Sequence, residues 1–272
     1  TTLRRLMERV YPADVRLDAY PTSESNRAVR AGRTLLPRAF EAVPPEQRRQ
    51  FRLISGHYVF GLHESIPGGR CAYLTFVRDP VERVISLYYH AKQHADHAMH
   101  TLIRDEGVSL AAMLDGDLNS LELRNSQTRH LAGLQLDEFL AADPAEVLVQ
   151  AKRNVDEHFV VAGVMERFEA SVVLAAHRLD WGTVHYQRVN VGRVAGDRPE
   201  DAPAVRRLIE DANTLDRQLY EHIRGRLDDQ LRALGPGLPV RIARLRATNR
   251  LVPLYQRARR LAARVKKGLN GE

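Results

Sequence analysis

An α/β domain with a mainly parallel central sheet flanked by helices, followed by a C-terminal helical extension, is what this 272-residue sequence predicts. Two observations carry that prediction. Short apolar runs, such as residues 72–77 (AYLTFV) and 159–164 (FVVAGV), alternate with longer stretches whose apolar residues recur at helical spacing. The runs are continuous rather than alternating with polar residues, as expected of strands covered on both faces in a parallel sheet.

Taken in order, residues 2–10 set Leu3, Leu6, Met7 and Val10 at helical spacing. Residues 11–50 contain Pro12, Pro21, Gly32, Pro37, Pro44 and Pro45 and read as turns and short helices. Residues 51–60 (FRLISGHYVF) are β-prone, with Gly56 and His57 in the middle, and a Pro67-Gly68-Gly69 turn leads into the strand at 72–77. A helix follows Pro80. Residues 93–120 are polar, and 118–131 are compatible with a helix. Asp143 as N-cap with Pro144 behind it predicts a helix over 143–154. The strand at 159–164 precedes a helix over 166–179, and residues 183–200 form a loop with Gly192 and Gly196. Residues 202–234 read as one long helical region stopped by Gly235-Pro236-Gly237. The expected division is a domain over residues 1–235 and a basic helical extension over 236–272.

Composition narrows the function classes. No apolar tract is long enough to span a bilayer, and the charged N-terminal segment does not read as a secretory signal. The single cysteine, Cys71, rules out an internal disulfide and a cysteine-based metal site. With no Asn-x-Ser/Thr acceptor either, a cytoplasmic setting is expected. The net charge of +7 is unevenly placed: residues 236–272 hold ten Lys/Arg and one acid, leaving the body at −2. A body so close to neutral argues against a nucleic-acid partner. The tail combines an apolar stripe (Leu251, Leu254, Leu261, Val265) with Arg257, Arg259, Arg260, Arg264, Lys266 and Lys267. It suits either the inner face of an anionic membrane or docking on the body, and Pro253 interrupts it.

The stretch richest in chemistry is residues 71–92, CAYLTFVRDPVERVISLYYHAK. A strand closes on Arg78, a helix opens at Pro80, and Ser86 stands eight residues beyond Arg78. A helix N-terminus after a strand attracts phosphate through free N–H groups, and an arginine there binds phosphate through paired hydrogen bonds. The same residues also read as a solvated charge cluster capping an ordinary helix. His57, in a β-prone run, reads either as a core histidine or as a general base. His90, His94, His97 and His100 lack the carboxylate pattern of a metalloenzyme and read as a surface-facing stretch. Arg124, Gln127 and Arg129 fit a solvated helix face or an acidic acceptor, and Asn190 and Arg193 could close over a nucleotide.

The run FVRDPVERVISLYYH resembles the element that binds the 3′-phosphate of PAPS (3′-phosphoadenosine 5′-phosphosulfate) in carbohydrate sulfotransferases. The similarity is closest to the heparan sulfate 2-O-sulfotransferase branch and its bacterial members. Further pieces follow in the same order: Ile54-Ser55-Gly56-His57, residues 125–133 (NSQTRHLAG), residues 151–164 and residues 213–220 (NTLDRQLY). The resemblance spans residues 1 to about 234. It implies a P-loop-like fold, Arg78 and Ser86 on the 3′-phosphate, His57 as catalytic base, and sulfuryl transfer from PAPS to a hydroxyl of a carbohydrate or glycolipid. No metal is required by that scheme. Thr1-Thr2-Leu3 resembles the end of the family's 5′-phosphosulfate loop, so Thr1 and Thr2 are expected to touch the cofactor, with the preceding strand and lysine upstream of the sequence given. A small-molecule kinase is the rival enzyme reading and would require a complete phosphate loop with a magnesium-binding acid. A non-catalytic, membrane-associated protein is the rival from another class.

Overall fold

Parallel pairing is present at two places in the computed structural model, which describes residues 2–19, 40, 42–66, 68, 71–116, 120–187 and 202–252. After helix α1 (Thr2–Val10) comes strand β1 (Arg16–Ala19), which pairs in parallel with β2 (Leu53–Gly56). Strand β3 (Tyr73–Val77) pairs in parallel with β4 (Phe159–Val164), in register from Leu74–Val161 to Val77–Val164. Between β3 and β4 lie α2 (Pro80–Gln93), α3 (His100–Arg104), α4 (Leu110–Asp115), α5 (Ser126–Ala132), α6 (Leu136–Ala141) and α7 (Pro144–His158). After β4 come α8 (Phe168–Arg178), α9 (Pro203–Ala212) and α10 (Thr214–Ala233). Residues 238–252 form a last described helix, α11. The α/β class expected from the sequence is therefore the one observed, with the parallel pairing divided over two strand pairs flanked by helices.

Three apolar clusters hold these elements. The largest packs Val77 and Val161, Ala162 and Val164 of the β3–β4 pair against α5, α7, α8 and α10. Burying each such Val or Leu contributes about 1.5–3 kcal/mol. In the second cluster, Val81, Val84, Ile85 and Tyr88 cover one side of α2 and meet Leu110, Met113, Leu123 and Ile209. The third joins Leu6 of α1, Val172 and Val173 of α8, Tyr186, and Leu245 of α11. Gly163 permits the close approach of β4 to α8, because a Cβ there would stand 2.7 Å from the Ser171 Cβ.

Four local expectations are corrected. Residues 16–19 form a strand where turns and short helices were expected. Its Arg16 and Asp18 are charged, but they pair with each other at 3.0 Å, and Ser55 donates to Asp18 Oδ1 at 2.8 Å. The strand expected over 51–60 ends at Gly56. Beyond it the backbone turns away, and Phe60 N–H goes to the His130 carbonyl of α5 at 2.8 Å. The polar stretch 93–120 contains α3 and α4, whose Ile103, Leu110 and Met113 are buried. The long helix over 202–234 is broken at Asn213, whose side chain donates back to the Ile209 carbonyl at 2.9 Å. Thr1, Asn190, Arg193 and the tail from residue 253 lie outside the described residues.

Candidate active site

In open α/β structures ligands collect beyond the carboxyl ends of parallel strands. Here β3 delivers Arg78 to such an end and β2 delivers His57.

The β3–α2 junction is fixed by its own side chains. Asp79 is the N-cap of α2, accepting from Val81 N–H at 3.0 Å and Glu82 N–H at 3.2 Å. Its other oxygen accepts from Arg217 of α10 at 2.6 Å, and its own N–H goes to Glu166 Oε1 at 3.1 Å. Tyr220 donates to the second oxygen of Glu166 at 3.1 Å, and burial together with that carboxylate pushes the phenol up to about 12. The open N–H groups expected at this helix start are therefore committed internally, and Pro80 supplies none. A phosphate here would be held by side chains, not by the helix end.

Arg78 itself is clamped by its backbone. The Gln127 carboxamide accepts from Arg78 N–H at 2.8 Å and donates to the Arg78 carbonyl at 2.9 Å. The Arg78 side chain is 37% exposed, and its ion-pair contact is a long one, 3.7 Å to Glu82 Oε2. Ser86 is exposed one helical turn beyond Glu82. Arg78, Glu82 and Ser86 thus stand in a row along one face of the junction.

Gln127 is held from below by a reciprocal pair of caps. Asp216, buried in the first turn of α10, accepts from the N–H groups of Gln127 at 3.2 Å and Thr128 at 2.7 Å. Asn125 returns the favour to α10, its Oδ1 accepting from Leu215 N–H at 3.0 Å and Asp216 N–H at 3.1 Å. Each helix start is capped by the other.

His57 follows directly on β2 and is open to solvent. Protein crowds it enough that desolvation, opposed by the Glu122 carboxylate and aided by Arg83, lowers its pKa below the ordinary imidazole value. Arg83, on α2, donates to the Glu122 carbonyl at 2.8 Å and to Ser126 Oγ at 3.0 Å. His130 joins the same neighbourhood. Its ring donates from Nδ1 to the Ser126 carbonyl at 2.7 Å, and burial with Arg129 beside it brings its pKa down to about 4.

The remaining sequence-predicted residues divide. Arg124 donates to the Leu114 carbonyl from a half-buried position. Arg129 is buried, 7% exposed, with one long bond to the Leu134 carbonyl at 3.4 Å and its Nε without a partner among the described residues. It keeps donors in reserve, whereas both polar atoms of Gln127 serve the Arg78 backbone. Thr2 opens α1. His90 and His94 stack at 3.9 Å, and the Nδ1 atoms of His94 and His100 bond to backbone carbonyls at 2.8 and 2.9 Å. No group of three metal-ligating side chains occurs among the described residues. His130, Arg83 and Asp216 lie inside the quoted motifs but carry no role in the sequence reading: nothing local marks His130, and Asp216 acts on α5 from 88 residues away.

Across residues 7–259 the sequence matches the family model described as galactose-3-O-sulfotransferase. The chain belongs to that family. The match takes in α2, α5, both strand pairs, His57 and every residue of the Arg78 clamp, and it continues past residue 235 into α11. This family member is accordingly a carbohydrate sulfotransferase by descent, as the ordered motifs imply, although the match does not extend to the heparan sulfate 2-O branch. No curated protein matches the chain.

Proposed function

We propose that the protein transfers a sulfuryl group from PAPS to a hydroxyl of a carbohydrate or glycolipid acceptor. The observation that carries this reading is the Gln127 clamp. It fixes the Arg78 backbone through two hydrogen bonds of 2.8 and 2.9 Å while leaving the guanidinium available on the same face as the Ser86 hydroxyl. A fixed backbone under an arginine held only by a long 3.7 Å ion pair suits recognition of a terminal phosphate, whose oxygens take two parallel N–H donors.

The residues present fit the cofactor. Arg78 and Ser86 would hold the 3′-phosphate, and the buried, partly unpartnered guanidinium of Arg129 would face negative charge elsewhere on it. Thr2, at the start of α1, would serve the phosphosulfate. Bound PAPS supplies the sulfuryl group. His57 takes the proton of the attacking hydroxyl, and its lowered pKa keeps the imidazole neutral, and so a competent base, near neutral pH. Fixed positive groups around the site stabilise the charge that grows on the departing diphosphate.

Isothermal titration of the protein with adenosine 3′,5′-diphosphate and with ATP tests the cofactor class. Preference for the diphosphate, lost in Arg78→Ala, is the expected result; equal affinity for both nucleotides contradicts it. His57→Ala should bind the diphosphate normally yet lose turnover by about a hundredfold or more, the usual contribution of a positioned base. Near-normal turnover in that variant removes His57 from the reaction.

A further inference from the structure

The row formed by Arg78, Glu82 and Ser86 contains a problem for any anion. Glu82 stands between the two groups that would grip it, and its carboxylate both repels an incoming phosphate and competes for Arg78. The structure shows how that competition is limited. Arg206 of α9 donates from Nη2 to Glu82 Oε1 at 2.9 Å, whereas Arg78 Nη2 is 3.7 Å from Glu82 Oε2. The first is a charge-assisted hydrogen bond. The second is beyond hydrogen-bond reach. Both arginines and the glutamate are partly exposed, with side-chain exposures of 37%, 37% and 43% for Arg78, Arg206 and Glu82, so all three can move when an anion arrives.

We infer that Arg206 is a positioning residue of the phosphate site: it holds Glu82 away from Arg78 and cancels its charge, so that Arg78 stays available. This rests on the PAPS reading above and adds to it a residue from a different helix, 124 positions from its partner. Without Arg206, Glu82 is free to close on Arg78, whose Nη2 already stands 3.7 Å from Glu82 Oε2. The arginine would then have to be stripped from a carboxylate before it could meet a phosphate. Replacing Glu82 by Gln removes both the repulsion and the competitor, and Arg206 is then no longer needed.

The test is a double-mutant cycle read by titration calorimetry with adenosine 3′,5′-diphosphate on the full chain. Arg206→Ala is expected to weaken binding about three- to tenfold at low salt, with the loss shrinking as ionic strength screens the pair. Glu82→Gln alone should bind as tightly as the parent or tighter. The double variant Glu82→Gln/Arg206→Ala should recover parental affinity. Arg206→Lys, which keeps the charge, should stay close to the parent and guards against a general loss of folding. An unrescued double variant would mean that Arg206 touches the phosphate directly, and an Arg206→Ala variant with parental affinity would mean that it plays no part. Either result overturns the inference. Arg78→Ala, measured alongside, separates the two levels. If it does not weaken binding, the phosphate reading fails. If it does while the cycle shows no coupling, only the role of Arg206 fails.

Discussion

His130 donates its Nδ1–H to the Ser126 carbonyl at 2.7 Å, so a second proton could go only to Nε2. The proton needed for a positive imidazolium has no favourable place there. Burial, with Arg129, Arg83 and His57 nearby, lowers the pKa to about 4 from an ordinary 6.5. The consequence for stability has a definite sign. The unfolded chain takes up a proton near 6.5 and the folded chain only near 4, so between those values the unfolded state binds more protons. His130 therefore favours the folded state fully above 6.5, and that contribution fades as pH falls toward 4. It amounts to at most ~3 kcal/mol, from ~1.4 kcal/mol per pKa unit. His130→Gln should flatten the acid limb of a urea-midpoint-against-pH curve between those values, at some cost in absolute stability. An acid limb identical to that of the parent would show that another group is responsible. His57 titrates in the same direction but is open to solvent, so its protonation matters more for turnover than for folding.

At the scale of elements, α5 and α10 start each other. Asp216 satisfies two N–H groups of α5 and also accepts from Thr128 Oγ1 at 2.7 Å, while Asn125, in a left-handed conformation at φ 45°, satisfies two of α10. Asp216→Ala would leave buried donors unpaired and should destabilise by about 3 kcal/mol or more, given 1–3 kcal/mol for each orphaned group. Asn125→Ala should cost about 1–2 kcal/mol, and the pair should be non-additive because each cap presupposes the other helix. Asp216→Ala should also weaken adenosine 3′,5′-diphosphate binding, because α5 carries the Gln127 clamp. Denaturation midpoints and calorimetry check both effects, and unchanged midpoints would mean the caps are redundant. This layer explains what the sequence could and could not reveal. Arg78 and His57 could be singled out because each directly follows a strand, and Ser86 because it stands on the helix after Arg78 within one local motif; the roles given to them belong to the proposed function. Asp216, Asn213 and Arg206 act across 88 to 124 residues, and no local spacing encodes such partners. Gln127 was visible as part of a motif, but its work of holding Arg78 is a tertiary fact. Gly133 is similar: it ends α5 at φ 85°, and a Cβ there would meet the Phe60 carbonyl at 2.9 Å, a reason that only the folded chain provides.

At the scale of the whole molecule, the strands and long helices followed from apolar periodicity, whereas β1 was hidden by its charged residues and the break at Asn213 by a continuous helical pattern on both sides. The part that periodicity left open was the fate of the chain beyond Gly235. Its described portion, residues 238–252, lies against the body. Leu245 is 4% exposed among Leu6, Val172, Val173 and Tyr186, while Leu238 and Ile242 pack against the same cluster. Arg246 adds a bond to Glu169 at 2.7 Å, and Asn249 accepts from Tyr186 N–H at 2.8 Å. The other side of this helix is open, with Val240 70% and Leu251 62% exposed. Two substitutions of the same chemistry therefore separate docking from mere helicity. Leu245→Ala removes a buried side chain at the meeting of α1, α8 and α11 and should cost about 2–4 kcal/mol. Leu251→Ala, on the open side, should stay within about 0.5 kcal/mol of the parent. Because α1 shares the cluster through Leu6, the loss at Leu245 should also raise hydrogen exchange in residues 2–10. Equal effects of the two substitutions, or unchanged exchange in α1, would show that this face does not hold the helix to the body.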